Sequence, residues 1–193
     1  MQTYRSRWSP MRVLARLIAP VLIVAGLLII GYSILINDPF ATLALFRPDP
    51  PGKSTMSLTV PAMQRVEEVP VYDGPARDKE ALHDGALHLR GTGFPWQRGT
   101  NVYVAGHRLG FPGTKSYLVF WDLNRLESGD EVILTDANGT RYTYEVFKKF
   151  IVDPSAFRVT QPLAGRSTVT LQTCTLPDYK QRLIVQGELT SVS

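Results

Sequence analysis

Leu17 to Ile36 reads LIAPVLIVAGLLIIGYSILI, twenty residues without a charge. A helix of that length, rising about 1.5 Å per residue, spans roughly the 30 Å hydrocarbon layer of a bilayer. Pro20 lies near the start of the run, where a missing backbone donor costs least. The run divides the 193-residue chain into a basic tail (1–16), a predicted transmembrane anchor (17–36), a Pro-rich linker (37–57) and a domain of ordinary globular size (58–193).

Arg5, Arg7, Arg12 and Arg16 precede the span, and Asp38 is the first charge after it. The positive-inside bias then puts the N-terminus in the cytoplasm and everything after residue 37 outside, as a single-pass protein of the cell membrane. A cleavable secretory signal is the competing reading. Its apolar region is usually shorter and ends on a small-x-small site, and no convincing site of that kind is present. Pro39, Pro48, Pro50, Pro51 and Gly52 give the linker the composition of a semi-extended tether.

The formal net charge of +4 invites a nucleic-acid reading. Four of its positive charges are the arginines of the tail, which leaves a near-neutral body. No later Lys/Arg run is interleaved with aromatics, so no nucleic-acid partner is expected. Cys174 is the single cysteine, which excludes an intramolecular disulfide framework and a cysteine-based metal site. Its thiol is either inert or chemically employed.

From Leu58 onward, short β-branched and aromatic segments are broken by turn residues with little helical periodicity, the pattern of an all-β barrel or sandwich. Glu131–Asp136 and Thr140–Phe150 flank Asn138-Gly139, a dipeptide suited to a tight hairpin, and Tyr142, Tyr144 and Val146 alternate with Arg141, Thr143 and Glu145. Asn101–Gly106, Thr168–Thr173 and Arg182–Leu189 read as three further strands. Asp78–Leu87 and Tyr117–Leu126 read as short helices, the second closed by Ser128-Gly129. There is no internal repeat.

Cys174 follows one predicted strand, and seven residues separate it from Arg182, which opens the next. Antiparallel pairing would put both side chains at one end of a sheet. A guanidinium near a thiol stabilises the thiolate, and later the oxyanion formed when that thiolate attacks a carbonyl. His107 also follows directly on a strand, and imidazole is the usual proton partner of a nucleophilic thiol. Spacing alone leaves plainer readings open: a lone Cys is more often a buried hydrophobe, and an Arg at a strand start is more often solvated. His83 and His88 flank the first predicted helix and read as ordinary polar positions.

Thr170-Leu171-Gln172-Thr173-Cys174 resembles the TLxTC signature of sortases, and Arg182 falls where that family has its catalytic arginine. Val104-Ala105-Gly106-His107-Arg108 resembles the strand end that bears the sortase histidine, and the three motifs occur in the family's order. The similarity covers roughly Leu58 to Leu189. It implies a closed eight-stranded β-barrel with two or three short helices. It also implies a two-step transpeptidation of secreted proteins carrying a C-terminal LPxTG-like sorting signal. Cys174 would be the nucleophile, His107 the proton carrier and Arg182 the oxyanion stabiliser, with support from Thr173 or a nearby backbone N–H. The acceptor would be an amine of a peptidoglycan precursor or a pilin lysine, with no cofactor and no metal.

Thr175-Leu176-Pro177 and the short loop to Arg182 look most like class E sortases of actinobacteria, associated with an LAxTG signal. The segment 152–166 corresponds to the region that often shapes signal recognition in the family, or it is a plain connection. Glu67-Glu68 is too little for the calcium site of some sortases. An L,D-transpeptidase would carry a His-Gly-Cys signature, which is absent. A non-catalytic anchored wall-binding or adhesion module, with Cys174 as core, is the remaining alternative. Its thiol would react slowly and without regard to His107.

Overall fold

The computed structural model describes residues 20–29, 32, 56–76 and 78–193. Residues 20–29 are helical, with Val21, Leu22, Leu27 and Leu28 among the exposed apolar side chains. Among the described residues no helix is long and apolar enough to cross a membrane. The predicted tail, most of the linker and part of the predicted anchor lie outside them.

Eight strands form a closed barrel: β1 (Met56–Thr59), β2 (Val69–Gly74), β3 (Ala86–Leu89), β4 (Asn101–Ala105), β5 (Glu131–Asp136), β6 (Arg141–Val152), β7 (Thr168–Cys174) and β8 (Arg182–Val192). Around the barrel the order is β1-β2-β3-β4-β7-β8-β6-β5, and β1 pairs with β5 to close it. β2/β3 and β4/β7 are parallel, and the other neighbours are antiparallel. Closure removes the free edges that an open sheet of this size would expose.

The alternation read along β6 holds. Tyr142, Tyr144 and Val146 are buried, whereas Arg141 and Glu145 are exposed. The hairpin before it turns at Gly139, whose φ of +88° suits a residue without Cβ. The Asp136 carboxylate secures the turn by accepting from the amides of Asn138 (2.8 Å) and Thr140 (3.0 Å). Inside the barrel, Leu58, Val104, Phe120, Leu134, Leu171 and Val185 are fully buried, and each such side chain contributes about 1.5–3 kcal/mol by leaving water.

Both predicted helices are shorter than the sequence suggests. The first is α1 (Lys79–Asp84), capped by the Asp78 carboxylate on the Ala81 amide and ended by Gly85. A Cβ at Gly85 would meet the Pro70 carbonyl oxygen at 2.1 Å, so β2 packs there and Ala86–Leu89 continues as a strand. Within Tyr117–Leu126 only Leu123–Arg125 forms a 3-10 turn. The Phe120 amide donates to His107 O (2.9 Å), and Val119 and Trp121 bond three residues back, so no α-helical ladder forms.

Candidate active site

Cys174 ends β7, Arg182 opens β8, and their Cα atoms are register partners. Antiparallel pairing thus places both residues at one rim. β4 runs parallel to β7 with Ala105 opposite Gln172, and the Gly106 amide donates to Gln172 O at 3.0 Å. Two more residues along that register bring His107 level with Cys174.

The three side chains line one cleft of ≈ 300 Å³, together with Thr173 and walls that include Leu82, Leu89, Tyr103, Val152 and Phe157. Cys174 is a free thiol and partly exposed. An inert core cysteine would be sealed from solvent, so this exposure favours the chemically employed reading.

His107 is held from several sides. Its carbonyl accepts from Phe120, and Gly106 before it lies under the Phe120 ring, where a Cβ would meet Cδ2 at 2.8 Å. Burial, and then the neighbouring His83, push the His107 imidazole below its ordinary value. Arg182 is oriented by the loop between β7 and β8: its Nη1 donates to Tyr179 O and Gln181 O, each at 3.0 Å. That loop is cross-tied by Thr175 N to Gln181 O (3.0 Å) and Tyr179 N to Thr175 O (3.0 Å).

Thr173 has its hydroxyl already engaged within the barrel. Its side chain is 1% exposed, and its hydroxyl donates to Gly106 O at 2.8 Å. That proton is committed, so the side chain ties the His107 strand end to the Cys174 strand end and is no free donor to a substrate oxygen. Segment 152–166 does reach the site: Val152, Asp153, Ala156, Phe157 and Val159 all line the cleft, and Phe157 is 74% exposed.

Two histidines read as ordinary polar positions are otherwise. His88 is fully buried, with Nδ1 on Asp73 Oδ1 (3.0 Å) and Nε2 on Gly93 O (2.9 Å). His83 stands beside His107, with ring centroids 6.2 Å apart. Tyr103 and Gln172 form a second missed pair, the phenol donating to Gln172 Oε1 within the cleft. Burial raises the Tyr103 phenol, and Arg182 nearby partly opposes the shift. Neither His83 nor Tyr103 carries a spacing signal, because each arrives by packing between elements.

A family model described as the sortase domain matches residues 58–190, more than half of the chain. The chain belongs to the sortase family. This sortase is 36% identical over 90 residues to Sortase A of Streptococcus agalactiae serotype III (strain NEM316), a stretch covering 46% of this chain and 36% of that relative's length. Among solved structures, it resembles the Group B Streptococcus Pilus Island 1 Sortase C2 with a TM-score of 0.63 and 27% identity, over 72% of this chain and 76% of that one. A lid mutant of Sortase A from Corynebacterium diphtheriae superimposes with a TM-score of 0.64 and 25% identity, over 78% and 76% of the two chains.

Proposed function

We propose that this chain is a membrane-anchored cysteine transpeptidase that cleaves a C-terminal LPxTG- or LAxTG-like signal after Thr and passes the acyl group to an amine. The observation that carries the reading is the rim itself, where Cys174 at the end of β7, Arg182 at the start of β8 and His107 just after β4 line one open cleft.

In the first step, Cys174 Sγ attacks the Thr-Gly carbonyl and the C–N bond breaks. His107 gives its proton to the leaving amine, and a thioester remains. In the second step, His107 takes a proton from the incoming amine as that nitrogen attacks the thioester, and Sγ leaves. Arg182 stabilises the oxyanion of each tetrahedral species. The apolar walls Leu82, Leu89, Tyr103 and Phe157 suit the aliphatic first residue of such a signal.

Substrates would be secreted proteins with the signal, and the acceptor an amine of a peptidoglycan precursor or a pilin. The solved structures resembling this chain include a pilus sortase and a sortase A, so both acceptors belong in the assay. The class E reading, with its LAxTG preference, rests on Thr175-Leu176-Pro177 and the short loop to Arg182. Residues 17–36 would anchor the protein with its N-terminus cytoplasmic and its barrel outside the cell membrane.

The test is to incubate the full chain in detergent with LAxTG and LPxTG peptides and an amine, following products by mass. Cleavage after Thr with transfer to the amine is expected, and Cys174→Ala is the blank. No product from either peptide would overturn the reading.

A further inference from the structure

The end of α1 is sewn to the segment that follows His107. Ser116 Oγ donates to Leu82 O, Ser116 N donates to His83 O at 3.3 Å, and Lys115 pairs with Asp84 at 3.1 Å. These ties set the His83 ring 6.2 Å from that of His107, tilted by 34°. Phe111 stands edge-on to both rings, with centroids 5.1 Å from His83 and 6.3 Å from His107. Gly110 completes the enclosure, since a Cβ there would meet His107 Cδ2 at 3.0 Å.

We propose that His83 is a positioning residue for His107: held by α1, its imidazole packs with Phe111 beside the His107 ring and competes with it for a proton. This rests on the reading of His107 as the proton carrier of the reaction. A proton on His83 at this separation repels one on His107 and so disfavours the His107 cation.

The other charged or titratable groups around His107 are few. Cys174 and Arg182 line the same cleft from β7 and β8, Tyr103 lines it from β4, and Asp153 from the connection after β6. Arg108 follows it in the chain, and the Lys115–Asp84 pair lies beside His83. Among them only His83 is an imidazole, the side chain that ordinarily changes charge between pH 5 and 8. The downward displacement of His107, to which His83 contributes after burial, has the sign this competition requires.

The chain has three histidines, so ring signals of the histidine-labelled full chain in detergent micelles can be followed individually by NMR from pH 5 to 8.5. In His83→Gln the midpoint of the His107 curve should move up in pH. The acid limb of Cys174 alkylation by iodoacetamide should move with it.

His83→Phe keeps an aromatic ring beside Phe111 without the charge. It should shift His107 as His83→Gln does, whereas a packing-only role would leave the midpoint where it was. An unmoved His107 midpoint in both variants overturns the proposal. If both variants misfold, a His107 midpoint in the unaltered protein at or above the ordinary histidine value of about 6.5 overturns it instead. Failure of every peptide to react would sink the transpeptidase reading while leaving these titrations to decide on His83.

Discussion

His107 holds its imidazole in partial burial beside a second imidazole, and both influences disfavour the cation. A Cys-His pair that acts with one proton between its members loses activity on the acid side as the pair takes up a second proton. The acid limb of kcat/KM should therefore have its midpoint below the ordinary histidine value of about 6.5. A pH-rate profile with that midpoint at or above the ordinary value would contradict this. Thr173→Val removes the bond to Gly106 O and leaves a buried carbonyl without its partner. It should cost about 1–3 kcal/mol of stability, measured by denaturant unfolding, and lower kcat as the His107 end of β4 loosens. Cys174, His107 and Arg182 were legible because each abuts a recognisable strand and the first two lie in motifs. His83, Tyr103 and Gln172 were not, since their positions depend on where α1 and β4 pack.

Gly106 shows how an element is held to the site. Phe120 covers it and is itself fully buried, so a Cβ would have to displace a packed ring. Gly106→Ala should destabilise the barrel by about 1–3 kcal/mol, seen as a lower thermal midpoint, and reduce turnover. An unchanged midpoint would show that the ring gives way freely. The strands legible from sequence were those with clear alternation or a diagnostic turn, notably β5 and β6 around Asn138-Gly139. β1, β2 and β3 are four to six residues long, and β2 contains Pro70, so the short runs give periodicity little to act on. The expected helix over Tyr117–Leu126 failed for a tertiary reason: Phe120 N is used by His107 O. No local pattern reports that bond.

At the scale of the whole molecule, the barrel needs two parallel pairings, β2/β3 and β4/β7, that no hairpin can make. β4/β7 is the one that sets His107 level with Cys174, which joins residues far apart in sequence. Pattern alone gives the all-β class, and the family motifs supply the closed eight-stranded form. The apolar run 17–36, flanked by arginines on one side only, predicts that the full chain sediments with membranes and resists salt extraction, while a chain lacking residues 1–36 does not. Recovery of the full chain in the soluble fraction would contradict anchoring. The central claim is that thiol, imidazole and guanidinium act on one carbonyl, and the most direct test is the intact mass of the protein after mixing with LAxTG or LPxTG peptide without an amine. A thioester-bound peptide fragment on Cys174, reduced in His107→Ala and absent in Cys174→Ala, is the predicted result. A thiol that takes iodoacetamide yet never acquires an acyl group from either peptide would contradict the account.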